Sequence, residues 1–134
     1  MPFAPGDAYE ETFSISQEEV NAFAQLSGDT NPIHTDPDFA AGTVFKRTVV
    51  HGMFVAAVFS RVMGAKFPGY GSVYLSQTLD FKRPVYPGEE CKVRVQIEEI
   101  DAKGRARLST NISYAANGKL AVSGEAWALL PKSE

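Results

Sequence analysis

Gly52-Met53-Phe54-Val55-Ala56-Ala57-Val58-Phe59 is an unbroken run without a polar side chain. His51-Gly52 opens it, Ser60 and Arg61 are its first polar breaks, and Pro68-Gly69 ends it. The run predicts a helix over roughly 52–66. Such a helix has no polar face in its first half, and a helix that is apolar all round is buried. The rest of the chain must supply its wrapping.

The wrapping is legible downstream. Val73, Leu75, Leu79 and Phe81 alternate with polar residues, and Pro84 to Gly88 breaks the pattern. Cys91, Val93, Val95 and Ile97 alternate with Lys92, Arg94, Gln96 and Glu98, the signature of a half-buried antiparallel strand. Asp101-Ala102-Lys103-Gly104 reads as a turn, followed by a strand through Leu108, Thr110, Ile112 and Tyr114. Asn117-Gly118 is a strong hairpin signal, and a last strand runs over about 119–130 to Pro131. The expected architecture is α+β: one early strand, two short helices, one buried helix, then an antiparallel meander. A sheet covered on one face leaves an edge or a face for a partner chain, and dimerisation is the simplest way to cover it.

Upstream, residues 1–7 look like a loose lead-in and 8–15 have weak strand character. Ser16-Gln17-Glu18-Glu19 starts a helix by a capping box, with Ile15 and Val20 placed for a hydrophobic staple. Val20, Phe23, Ala24 and Leu26 give its apolar stripe, and Gly28 stops it, so it spans roughly 17–27. Asn31, before a proline, is pushed out of the helical region, and the chain is expected to stay extended through His34. Asp36-Pro37 then restarts a short helix that Gly42 ends.

Composition narrows the class. The chain has 134 residues, 13 Lys and Arg, 16 Asp and Glu and a net charge of -3. That suits one domain over 1–134, and without longer basic clusters a nucleic-acid partner is not expected. Cys91 is the sole cysteine, so no intrachain disulfide or cysteine-based metal cluster can form. No secretory leader opens the chain, and the longest greasy stretch is too short to span a membrane, so a cytoplasmic protein is expected.

The chemistry gathers at Leu26-Ser27-Gly28-Asp29-Thr30-Asn31-Pro32-Ile33-His34, which puts a carboxylate and an imidazole five residues apart on a turn. Asp29 lies just past a helix C-terminus, where a carboxylate is disfavoured. His34 lies two residues before a helix cap, where an imidazolium is disfavoured. Opposed environments of this kind tune general acid–base pairs. The plainer reading stands beside it: Asp after a Gly cap is often a turn residue, His before a cap is often satisfied by backbone, and Asn-Pro is an ordinary turn dipeptide. Gly52 has two readings as well. The free amides of a helix start favour anionic oxygen, as of a carbonyl becoming an enolate, while a glycine there also allows tight packing. His51 is more readily a structural residue than a second base. Ser60 is either a pocket hydroxyl or bonded back to its own helix. Zinc, dinucleotide, nucleophile-elbow and phosphate-loop templates all fail. Lys46-Arg47 and Lys82-Arg83 could meet ligand phosphates at a site rim or be solvated pairs.

Phe23, Leu26-Ser27-Gly28-Asp29, Asn31-Pro32-Ile33-His34 and Ala40 together resemble the hydratase-2 motif of the MaoC-like (R)-specific enoyl-CoA hydratases. Val50-His51-Gly52-Met53, Leu79-Asp80-Phe81-Lys82-Arg83-Pro84-Val85 and Pro87-Gly88-Glu89 extend the resemblance over nearly the whole chain. It implies a hot-dog fold, an antiparallel sheet wrapped around the central buried helix, in a homodimer. It implies reversible syn hydration of a trans-2-enoyl-CoA to an (R)-3-hydroxyacyl-CoA, with Asp29 and His34 catalytic and the Gly52 amide on the thioester oxygen. Asn31 and Ser60 would support the dyad. No metal or other cofactor is implied, CoA entering only as part of the acyl-CoA substrate, and neither nucleic acid nor membrane is a partner. Size and family suggest supply of polyhydroxyalkanoate monomers from fatty acid β-oxidation. Met63, Leu75 and Val73 are candidates for the acyl pocket. Competing readings are a hot-dog acyl-CoA thioesterase, against which the Asp–Asn-Pro–His arrangement counts, and a non-catalytic acyl-CoA-binding module, which would not need the dyad.

Overall fold

The computed structural model describes residues 3–132. Strand β1 (Ala8–Phe13) leads to α1 (Gln17–Ser27), α2 (Pro32–Thr35), α3 (Pro37–Ala41) and α4 (Gly52–Ala65). Strands β2 (Val73–Gln77), β3 (Asp80–Phe81), β4 (Cys91–Ile100), β5 (Arg105–Tyr114) and β6 (Leu120–Leu129) follow. All pairings are antiparallel, in the order β1-β4-β5-β6-β2, with β3 also on β6. This is the hot-dog arrangement: the sheet curls around α4.

The alternation of β4 holds residue by residue. Cys91, Val93, Val95 and Ile97 are fully buried, and they share one core with Val55, Phe59, Val62 and Met63 of α4. Outward-facing Arg94 meets Glu10 of β1 at 3.0 Å. A register shift after Ile112 lets Ala121 and Val122 of β6 both point inward. Burial also pushes the Cys91 thiol up to about 11, as expected of a small hydrophobe at the sheet's inner face.

Four expectations change. Residues 4–7 are not loose: the Asp7 N–H donates to Ala4, and Gly6 donates to the Ile97 carbonyl at 2.8 Å; Met1 and Pro2 of that stretch lie outside the described residues. The 73–81 segment is two strands, because the chain bulges between Tyr74 and Ser76 and Thr78 crosses close over Gly124. Residues 32–35 form a helical turn, not an extended one. Pro32 takes its first position and Asn31 Oδ1 accepts the Ile33 N–H at 3.2 Å, so the pre-proline restriction falls on Asn31 alone. Leu26 is 88% exposed and leaves the α1 stripe to Val20, Phe23 and Ala24.

Helix α4 is also not buried all round. Met53, 61% exposed, lies on one line with exposed Ala57, Ser60 and Gly64. That line flanks edge strand β2, whose Val73, Tyr74 and Leu75 are exposed too. Among the described residues no helix is long and apolar enough to cross a membrane.

Candidate active site

The capping box holds as read: Ser16 Oγ accepts the Glu19 N–H, and Glu19 Oε1 accepts the Ser16 N–H at 2.9 Å. Gly28 ends α1 in the left-handed region, φ 81°, donating to the Ala24 carbonyl. Asp29 therefore enters the turn where expected. Its N–H donates to Ser27 Oγ at 3.1 Å, and its Oδ1 accepts the Asn31 N–H at 3.4 Å. Asn31 thus organises the turn twice, through its amide and as the cap of α2.

His34 sits in the last turn of α2, not on an extended approach to a cap. It still lies two residues before Asp36, the cap of α3, and its hydrogen bonds hold it there. Nδ1 lies 2.8 Å from the Val49 carbonyl oxygen. A carbonyl only accepts, so Nδ1 carries the proton and, in the neutral ring, Nε2 presents a lone pair. Gln17, at the start of α1, donates to the His34 carbonyl at 2.8 Å and is itself held by Thr48 Oγ1 at 2.7 Å. Val49 N–H returns a bond to the Ile33 carbonyl at 3.2 Å. The turn is thereby tied to α1 and to the segment leading into α4.

His51, the cap residue of α4, is the second histidine of the site. Its ring is 2% exposed and stacks on His34 with centroids 3.8 Å apart and planes 24° apart. One carboxylate oxygen of Asp29 and one nitrogen from each imidazole lie within 4.8 Å of one another. By composition this trio could be a metal site, which the sequence templates did not raise. The donors are otherwise arranged. His51 Nε2 is 3.0 Å from the main-chain oxygen of Asp29, so it bears a proton rather than a free lone pair. Lone pairs in two nearly parallel ring planes also do not converge on one ion.

His34 opens on a cavity of about 440 Å³ lined also by Asn31, Gly52, Val55, Phe81 and Val122 among others, and the Asp29 carboxylate lies beside His34. Lys82 and Arg83 stand at it, whereas Arg47 lies over the Tyr86 ring at 3.9 Å. Gly52 is the first residue of α4, and its N–H belongs to the amides a helix leaves unsatisfied. A Cβ there would sit 3.0 Å from the Phe81 ring, so the glycine also keeps that aromatic wall close. The packing reading of Gly52 therefore holds, and Gly52 also lines the cavity.

Ser60 is not brought to this cavity. It lines a second one of about 430 Å³ with Met53, Tyr74 and Leu75 on the exposed side of α4. Of the acyl-pocket candidates, Leu75 lies there, Val73 is on the edge strand and Met63 is in the core. Sequence reading missed Gln17 and Val49 as anchors of His34, and it gave His51, read as structural, no link to Asp29 or His34. Val50-His51-Gly52 marked the segment, but no spacing rule joins it to a turn about twenty residues upstream.

The pattern described as a MaoC like domain matches residues 3–117. The chain is 49% identical over 114 residues to the (R)-specific enoyl-CoA hydratase of Aeromonas caviae, covering 84% of each chain. It is 41% identical over 121 residues to the 3-hydroxybutyryl-CoA dehydratase of Methylorubrum extorquens, covering 90% of this chain and 76% of that one. A solved structure of the (R)-hydratase from A. caviae involved in PHA biosynthesis superposes with a TM-score of 0.92 at 44% identity, over 96% of this chain and 98% of that one.

Proposed function

This chain belongs to the MaoC-like domain family, and from that premise we propose that it is an (R)-specific enoyl-CoA hydratase. The observation that carries the reading is the pairing of an Asp29 carboxylate oxygen with a His34 ring nitrogen within 4.8 Å, with His34 and Gly52 both lining one largely apolar cavity. Two acceptors side by side can hold one water by both its hydrogens, leaving an oxygen lone pair for C3 of a bound enoyl thioester. As the water oxygen bonds to C3, one of its protons passes to the dyad and the double-bond electrons move toward the thioester oxygen. The Gly52 N–H stabilises the charge developing there. The dyad returns a proton to C2 on the same face, so addition is syn and the groups end as they began.

The reaction as proposed is one C–O bond formation and two proton transfers with no net oxidation or reduction, and it draws on no metal or redox cofactor. Lys82 and Arg83 at the cavity suit the phosphates of CoA. The supply of (R)-3-hydroxyacyl-CoA for polyhydroxyalkanoate is the role we assign, in a cytoplasmic setting that suits one buried, unpaired cysteine. The protein works as a homodimer in this reading, with the exposed Met53, Ala57 and Ser60 line and edge strand β2 as the covered surface.

The test uses crotonyl-CoA. Absorbance of the conjugated enoyl group should fall with no release of free thiol, and chiral analysis should give the (R)-3-hydroxy product. Thiol release would instead identify a thioesterase. Saturable binding with neither change would identify a non-catalytic acyl-CoA module.

A further inference from the structure

His51 stands unexplained by the proposed chemistry, because it offers no atom to the cavity. It is a polar ring buried to 2% exposure, and its Nδ1 has no hydrogen-bond partner among the described residues. Burying a ring with one nitrogen unpaired carries a desolvation cost. A leucine or phenylalanine would fill the space without that cost. What His51 has instead is one bond, from Nε2–H to the main-chain oxygen of Asp29 at 3.0 Å.

That bond matters because the other recorded ties of Asp29 are local, to Ser27 and Asn31. Among the described residues, only His51 links the Asp29 backbone to α4 by a hydrogen bond. Its ring cannot swing, since Phe23 tilts against it at 4.8 Å and Phe23 in turn stacks on Phe54 at 4.6 Å. Against this clamped ring lies the flat face of His34. As the cap of α4, His51 also immediately precedes Gly52. One residue therefore touches the mounts of all three groups: the carbonyl of Asp29, the ring of His34 and the peptide that carries the Gly52 amide.

We propose that His51 is a positioning residue for the hydration reaction, setting the separation of Asp29, His34 and the Gly52 amide through its Nε2–H and its ring face. The proposal rests on the hydratase reading for its kinetic consequence and on geometry alone for the bond itself.

Two amide substitutions separate position from polarity. In His51→Gln the side-chain nitrogen falls near the place of Nε2 and can still donate to Asp29. In His51→Asn it falls near the place of Nδ1, which faces nothing, and the Asp29 carbonyl is left unpaired. With crotonyl-CoA, His51→Gln should keep kcat within about fivefold of the parent. His51→Asn should lose about 100-fold in kcat with KM within about threefold, the effect of a misplaced dyad rather than of weaker binding. Equal kcat in the two variants would overturn the proposal. The second arm needs neither substrate nor variant. The chain has only 2 histidines, so nitrogen-15 spectra of the parent resolve both rings. His51 should be the Nε2–H tautomer and His34 the Nδ1–H tautomer. A proton on His51 Nδ1 would overturn the proposal. A parent protein that does not hydrate crotonyl-CoA would instead refute the hydratase reading, while the spectra still decide the bond from His51 to Asp29.

Discussion

Asp29 and His34 are held in different ways, and the difference shapes what their replacement should do. Asp29 is exposed and tied by turn contacts, whereas His34 is half-buried and fixed at its Nδ1, its carbonyl and its ring face. Neither side chain supports the core, so Asp29→Asn and His34→Ala should stay folded by circular dichroism. Each should lose about 10²–10⁴-fold in crotonyl-CoA hydration, the worth of a positioned proton transfer. Near-parental rates in either would remove that residue from the dyad. The pair was legible in the sequence because both members sit on one short turn. Their anchors were not: Gln17 lies 17 residues from His34, Val49 lies 15 from it, and His51 lies 22 from Asp29. Hydrogen bonds that span so much chain form only once the helices have packed, and no local pattern announces them. The same limit explains Ser60, whose helix position was correct but whose side of the helix is set by what packs against it.

Elements were most legible where local chemistry is decisive. The Ser16–Glu19 capping box, the Gly28 stop and the strict alternation of β4 are written in neighbouring residues and survive unchanged in the fold. The broken strand at 73–81 was not, because its cause is a tertiary contact. Gly124, on β6, faces the main-chain oxygen of Thr78, which lies 1.9 Å from where a Cβ would be. Thr78 N–H and the Glu125 carbonyl pair at 2.8 Å, and Thr78 Oγ1 accepts the Glu125 N–H at 2.9 Å, so neither strand can retreat without losing bonds. Gly124→Ala should therefore cost about 3 kcal/mol, at the upper end for forced overpacking. A lowered urea midpoint with an unchanged m-value would show it. An unshifted midpoint would mean that the Thr78 crossing yields freely. Because β3 continues from this crossing and carries Phe81 to the Gly52 wall, hydration activity should fall along with stability.

At the scale of the molecule, the surface of α4 and β2 bears on how the site is completed. The sequence made α4 apolar around its first half, and the expectation of complete burial followed from that. The isolated fold leaves Met53 at 61% exposure and Leu75 at 49%, beside a cavity of about 430 Å³ that contains Ser60. Strand β2 is an edge, bonded only to β6, so its outer backbone groups are open to pairing. Apolar side chains and open ladder groups on one edge are what a second copy could cover, and the all-apolar pattern is then consistent with a chain that is not alone. The protein should sediment as twice the 14.6 kDa chain mass. Leu75→Glu places a charge in the middle of that edge without touching the core. It should shift the sedimentation equilibrium to the monomer while far-UV circular dichroism stays unchanged. A Leu75→Glu protein that remains dimeric would move the interface away from β2. A parent protein that is monomeric across the micromolar range would show that the exposed strip of α4 is left open in solution.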